Sequence, residues 1–390
     1  MVLMQFKNKP AIIITGIRIL VGAVFIFSGF VKLDDPLGFS YKLEEYCEVF
    51  GISSLSRFSL FFSILFSSLE IIFGFALWIG FKIRQVIPLL LALVLFFTFL
   101  TLYSAYYNKV TECGCFGDAV KLTPWQSFYK NLVLTFLILV LTFNQKNIAP
   151  FWNSMALRIG MGFIISLTLA FGLYSYWYLP LIDFLPYKVG KNLPSQMEIP
   201  KGVAGDEFSI DFTLKNLKTG EIKRIANQDY IRTKIYENSA WKFLRASEPV
   251  LINSGYQIPI KDLKITDSLG LDHTDSLIKS PGYSVIIVEY KLTESNLSAQ
   301  NKIVDLVKSL QNKKIQIYGI TSNSSVEAKK ILNPYSINYP IYFCDAIPLK
   351  SMVRSNPGIV LLHNGTVLEK WSSHHIPNEV EISNFLKNQP

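Results

Sequence analysis

Residues 59–80 read SLFFSILFSSLEIIFGFALWIG, 22 positions in which Glu70 is the one ionisable side chain. Crossing a bilayer takes about 20 mainly apolar residues. This run, which extends over 58–80, therefore reads as a transmembrane helix. Four more apolar runs of similar kind lie at 11–31, 86–107, 127–144 and 156–179. The one at 127–144 is the shortest. The first run lacks a small-residue cleavage site and is followed by further spans, so it is expected to be retained rather than removed as a signal peptide. Beyond Tyr178–Pro180 the chain leaves the membrane and no comparable run follows.

The composition divides at the same place. The 390 residues are 50% apolar, 14% aromatic and 17% charged, with a mean hydropathy of +0.30. Soluble domains carry roughly 25% charged residues. Residues 1–180 hold 21 charged side chains, whereas 181–390 hold 46. The chain is thus a membrane half followed by a soluble half of ordinary composition. The net charge of +9 is spread over both halves, with no basic run interleaved with aromatics, which argues against nucleic-acid binding. Four cysteines, Cys47, Cys113, Cys115 and Cys344, are too few for a disulfide-dense secreted scaffold.

Loop charges orient the spans. With the N-terminus in the cytoplasm, Lys7, Lys9, Lys82, Arg84 and Lys146 fall on the inner side in segments free of acids. Asp34, Asp35, Glu44, Glu45, Glu48, Glu112 and Asp118 fall in the outer loops, 32–57 and 108–126. The positive-inside rule favours this arrangement. Five crossings of a bacterial inner membrane then put residues 181–390 in the periplasm, with Cys47, Cys113 and Cys115 on that side, where oxidised cysteine persists. Two ionisable residues, Arg18 and Glu70, lie inside spans, roughly 10–15 Å deep at 1.5 Å per residue. An unpaired charge at such depth costs at least about 2.5 kcal/mol. They are expected to form an intramembrane pair that fixes helix packing or relays protons, unless Arg18 snorkels to the surface.

Residues 111–118 read TECGCFGD. Glycines let this loop turn tightly. A disulfide across Cys113 and Cys115 closes a very small ring of poor geometry, and strained bridges are easily reduced. Cys47, in YKLEEYCEVFG (41–51), is a candidate third, exchanging thiol. Zinc and iron–sulfur sites want four ligands, and the four histidines, His273, His363, His374 and His375, all lie in the soluble half. No metal or haem is therefore expected at the loop. The cysteine pair reads as redox-active or structural, with metal binding the rival least served by local ligands.

The runs FSGFVKLDDPLGFSYKLEEYCEVFG (27–51) and CGCFGDAVKLTPWQSFYKN (113–131) resemble DoxX/MauE-type membrane proteins, most closely the Bacteroidetes branch of the DoxX family with an added C-terminal domain. The resemblance covers residues 10–145 and extends more loosely over the whole chain. It implies a four-helix bundle related in architecture to vitamin K epoxide reductase and to bacterial disulfide-forming membrane enzymes. MauE proteins are associated with methylamine utilisation through disulfide formation in a periplasmic dehydrogenase, and DoxD/DoxX proteins with thiosulfate:quinone oxidoreduction. By motif, Cys113 and Cys115 match the family's Cys-Gly-Cys-Phe-Gly element. The vitamin K reductase type separates its cysteines by two residues, whereas one separates them here.

The expected organisation is a bundle over 1–145, a fifth transmembrane helix over 146–180, a linker over 181–205, a hairpin-containing segment over 206–252 and an α/β domain over 253–390. The hairpin centres on Lys218-Thr219-Gly220-Glu221. Apolar runs at 282–290, 314–322 and 339–345 read as buried strands. Ile303, Val304, Val307 and Leu310 share one helical face, and Asn364-Gly365 marks a hairpin turn. The resulting β-α-β-α-β-β-α order implies a thioredoxin-like sandwich. In that fold Pro357, in SNPG, falls where a cis-proline is expected, although only about 5–6% of X-Pro bonds are cis. The position of the usual Cys-x-x-Cys holds KLTESN (291–296), without a thiol. Cys344 reads as a buried apolar-type thiol, and His374-His375 as a solvated loop pair.

Two functions follow as expectations. One is an inner-membrane thiol–disulfide redox protein, a possible thiol:quinone oxidoreductase, coupling a Cys113/Cys115 disulfide to a membrane quinone and a periplasmic protein. The other is a non-enzymatic membrane anchor whose thiol-free soluble domain docks an envelope protein.

Overall fold

The computed structural model describes residues 9–110, 114–253 and 255–387. Among them, five helices are long and apolar enough to cross a membrane: Ile12–Asp34, Ser53–Ile79, Ile83–Tyr107, Pro124–Phe143 and Ser154–Trp177. The chain is a multi-pass membrane protein, with each span within a few residues of its expected place. The spanning elements are α1 (Lys9–Asp34), α3 (Ser59–Ile79), α4 (Ile83–Tyr107), α5 (Pro124–Phe143) and α6 (Ser154–Trp177). Between the first two spans lies a helix that does not cross, α2 (Pro36–Val49).

Local chemistry sets the helix ends. Asp35 caps α2 by accepting from the Gly38 N–H, with Pro36 in the first turn. Thr123 and Gln126 form a capping box at α5, again followed by proline. Gly80 ends α3 in the left-handed conformation at φ +80°. Val21, Phe25, Leu77, Ile87, Leu90, Ile138 and Leu141 fill the bundle interior. Phe61, Phe99, Phe136, Ile159 and Phe163 face outward, as suits side chains whose solvent is lipid.

Helices α1 and α3 run antiparallel and nearly touch. A Cβ on Gly22 would stand 2.9 Å from the Gly74 carbonyl oxygen, and one on Gly29 would stand 2.6 Å from that of Ser67. Small residues at such crossings let membrane helices approach closely.

The soluble half begins with α7 (Leu193–Gln196), β1 (Glu207–Ser209), β2 (Asp211–Asn216), β3 (Ile222–Ala226), α8 (Asn227–Arg232), β4 (Trp241–Ala246), β5 (Val250–Asn253) and α9 (Thr274–Ile278). It continues with β6 (Tyr283–Glu289), α10 (Leu297–Leu310), β7 (Ile315–Thr321), α11 (Ser325–Leu332), β8 (Ile341–Phe343), α12 (Ala346–Met352), β9 (Gly358–His363), β10 (Thr366–Ser372) and α13 (Glu379–Lys387). Five strands form one sheet in the order β10-β9-β6-β7-β8. Strands β6, β7 and β8 are parallel, and β9 runs against β6 and β10. On one face Val285 and Ile287 pack with Ile303, Val307 and Trp371. On the other, Ile286 and Val288 pack with Ile265, Tyr318 and Leu349. Burial on both faces explains the unbroken apolar run of β6.

The Asn364-Gly365 turn is present with both residues at positive φ, and the Asn356–Pro357 bond is cis. The 206–225 hairpin forms as β2 and β3, within a separate β3-β2-β4 sheet. One expectation is corrected. Residues 181–205 are not a free linker, because part of the stretch joins the domain. The Gly190 N–H donates to the Val367 carbonyl and the Leu193 N–H to that of Gly365. Leu185, Tyr187 and Leu193 are buried, and Asp183 pairs with Lys370 at 2.6 Å.

Candidate functional site

The cysteine loop turns on two glycines at positive φ, Gly114 and Gly117, and is closed by the Gly117 N–H donating to the Gly114 carbonyl at 3.1 Å. A Cβ on Gly117 would sit 3.0 Å from Val31, so the loop lies against the end of α1. The Ser28 hydroxyl donates to the Cys115 carbonyl at 2.8 Å. Phe116 packs on Phe27 with ring centroids 5.5 Å apart and beneath the Lys130 ammonium at 4.4 Å. Cys113 lies outside the described residues. Cys115 is a free thiol with 8% relative exposure.

Cys115 lines two cavities. The outer one, of about 330 Å³, opens between α2, the cysteine loop and α12 of the soluble half. The inner one, of about 20 Å³, lies within the bundle and is shared with Ser28, Lys32, Glu70 and Asn131. There the Lys32 Nζ donates to Glu70 Oε1 at 2.5 Å. Both residues have 2% relative exposure. The ammonium also lies 5.0 Å from the Phe39 ring centroid and 4.7 Å from that of Phe97, where ring faces favour a desolvated cation.

This arrangement corrects the expected Arg18–Glu70 pair. Gly22 meets Gly74 and Gly29 meets Ser67, a register that places Arg18 beside Trp78. Glu70 is eight residues further along α3, roughly 12 Å away along the axis. Arg18 instead donates to the Trp78 and Ala149 carbonyls at 2.6 and 2.9 Å and lies 4.3 Å over Phe151. Arginine thereby satisfies carbonyls at the α3 C-terminus. Lys32 was missed because the first apolar run ends at residue 31; the helix continues to Asp34 and carries Lys32 into the bundle.

The soluble half closes the outer cavity. Arg354, with 7% side-chain exposure, donates to Asp35 at 2.7 Å and to Asp118 at 3.1 Å. Burial opposes its charge, but the two carboxylates outweigh it and hold the guanidinium above its ordinary range. The Tyr41 hydroxyl donates to that of Tyr290 at 3.0 Å, and the Lys350 ammonium sits 3.9 Å over the Tyr41 ring. The end of β6, the turn before Pro357 and α12 therefore face α2 and the cysteine loop. In the KLTESN segment, Leu292–Glu294 form a short helical turn. No sequence signal marked Arg354, which lies 319 positions from Asp35.

The remaining candidates lie elsewhere. Cys47, on α2, does not line either cavity; burial, then Glu44 and Glu48, push its thiol up. Cys344 is buried in the soluble core, where burial pushes its thiol up to about 11. His375 meets Glu381 at 3.0 Å, and His374 lies against Tyr176. A raised thiol keeps its proton until the pH approaches the raised value, and the thiolate is the nucleophile. At pH 7, iodoacetamide is expected to label Cys344 of the folded, reduced protein on the order of a hundredfold more slowly than after denaturation, and Cys47 also more slowly than after denaturation. Peptide mapping checks both.

Residues 10–144 match the family model described as methylamine utilisation protein MauE. Protein TlpB of Flavobacterium psychrophilum is 28% identical over 149 residues, covering 36% of this chain and 41% of TlpB. The chain thus spans about two fifths of that relative's length. The match takes in α1 to α5, the Lys32–Glu70 pair and the cysteine loop, so it is this membrane part of the chain that is similar to the MauE family.

Proposed function

We propose that this protein is a membrane thiol–disulfide redox protein in which Cys113 and Cys115 carry electrons between a periplasmic protein and a membrane quinone. In the disulfide-forming direction the two thiols give two electrons and two protons to the quinone. The sulfurs join and the quinone becomes a quinol. A thiolate of the partner then attacks the disulfide, and a second partner thiol resolves the mixed disulfide. The partner leaves oxidised and the cysteine pair returns reduced. The N-terminus is cytoplasmic in this reading, and the α/β half is periplasmic.

The observation that carries the reading is the position of Cys115, which borders both a cavity facing the soluble half and a charged cavity inside the bundle. The family's description as a methylamine utilisation protein makes a periplasmic enzyme of that metabolism one candidate partner. Serine at both Cys113 and Cys115 is expected to abolish reduction of a soluble quinone analogue by a dithiol, with membrane insertion retained. Unchanged turnover in that variant overturns the reading.

A second reading has a specific observation behind it. The thioredoxin-like half has KLTESN in place of a thiol pair, and its face beside Pro357 is engaged with the bundle through Arg354. It then serves as a docking module for an envelope protein. A stoichiometric partner that co-purifies through residues 206–390 independently of all four cysteines would favour it.

A further inference from the structure

Lys32 and Glu70 are buried in the bundle, and the exchange just described makes no use of them. A lysine–glutamate pair in such a place is expensive, since each ion loses its hydration. Glu70 Oε1 is taken by Lys32, yet among the described residues Glu70 Oε2 is buried without a hydrogen-bond partner. The pair shares its 20 Å³ cavity with Cys115.

The other cations near Cys115 are committed elsewhere. Arg354 is held by Asp35 and Asp118, Lys42 by Glu45 at 3.4 Å and Lys350 by Glu44 at 3.7 Å. Lys130, from α5, lies over Phe116. Glu48 and Lys121 complete the charged lining of the outer cavity, while α4 presents only Val94 and Phe97 to the inner one. Lys32 is the cation that borders Cys115 in both cavities.

We infer that Lys32 is a positioning residue that stabilises the Cys115 thiolate, with Glu70 as the counterion that holds the ammonium while Cys115 is a thiol or a disulfide. On activation the Cys115 S–H bond breaks and the proton leaves through the outer cavity to water. The ammonium is then shared between the carboxylate and the thiolate, so the new negative charge forms beside a cation already buried there. In the partner-reducing direction, the reverse of the exchange above, the Cys115 thiolate attacks the partner's disulfide sulfur, one S–S bond forms as the other breaks, and the departing partner thiolate carries the charge away. The ammonium returns to Glu70 alone.

This inference rests on the thiol-exchange reading only for the use made of the thiolate. Its test reads the thiolate directly, so the two can fail separately. In the reduced full-length protein in nanodiscs, with Cys113→Ser so that one thiol labels in the loop peptide, iodoacetamide modification of Cys115 is followed by mass spectrometry between pH 6 and 9. Lys32→Met is expected to slow labelling at pH 7 about tenfold, with the difference shrinking at pH 9. Glu70→Gln leaves the cation in place and is expected to leave the rate unchanged or raise it. The double variant Lys32→Met/Glu70→Gln removes both charges, avoids an unpaired buried carboxylate and is expected to label as slowly as Lys32→Met. Where Lys32→Met does not fold, the double variant decides. A purely structural pair would move both single variants in the same direction by loosening the packing. Slowing in both, acceleration in both, or an unaltered rate without Lys32 overturns the inference.

Discussion

Replacement of Arg354 by alanine is expected to weaken the junction between the two halves by about 3–5 kcal/mol, the cost of removing one partner from a buried ion pair. The guanidinium reaches Asp35 at the start of α2, Asp118 in the cysteine loop and, at 2.5 Å, the Lys350 carbonyl. Without it, two half-buried carboxylates share a cleft with no cation between them. Asp35 still caps α2 through the Gly38 N–H at 2.8 Å, so the helix itself should persist. The damage should appear at the docked surfaces as faster hydrogen exchange in residues 114–123 and faster proteolysis around 178–190. Arg354→Lys should recover only part of the loss, since one ammonium cannot match a planar fork that serves two carboxylates. Exchange protection of the loop equal to that of the parent protein in Arg354→Ala would show that the halves are held by other contacts, the Tyr41–Tyr290 bond foremost.

That junction also shows where sequence reasoning stops. The spans were legible because lipid demands continuous apolar length, and the central strands because a sheet covered on both faces needs unbroken runs such as 282–290. The turn at Asn364-Gly365 was legible from local backbone chemistry, and the cis bond before Pro357 only from the element order that the thioredoxin-like resemblance implied. The ion pairs were not. Arg18 and Glu70 share an apparent depth, yet their partners depend on the α1–α3 register, which Gly22, Gly29 and Gly74 set by close approach. Lys32 was assigned to a loop through an error of three residues in the end of one helix. The stretch 181–205 has the prolines and glycines of a linker, and its main-chain bonds to β10 leave no trace in side-chain pattern. Of the cysteine site, the motif was readable; the two cavities that Cys115 lines and the arginine closing one of them were not.

The same register yields the sharpest test of the bundle. Gly29 faces α3 where an added Cβ would stand 2.6 Å from the Ser67 carbonyl oxygen, 2.8 Å from Ile71 Cγ1 and 2.9 Å from Glu70 Cβ. A backbone oxygen cannot rotate aside, so Gly29→Val must push the helices apart. Overpacking alone costs typically 1–3 kcal/mol. Lys32 lies one turn along the same face of α1, so the separation also stretches its bond to Glu70, and breaking a buried pair costs about 3–5 kcal/mol. The two effects share one movement and do not simply add; a loss of at least about 3 kcal/mol is expected. Gly16, on the same helix, has nothing within 4 Å of its would-be Cβ. Gly16→Ala is therefore expected to be neutral or to stabilise the helix by up to about 1 kcal/mol. Thermal unfolding of both variants in one detergent isolates helix contact from helix propensity. If Gly29→Val melts with Gly16→Ala, the close crossing of α1 and α3 is wrong, and with it the burial of Lys32 against Glu70 beneath Cys115.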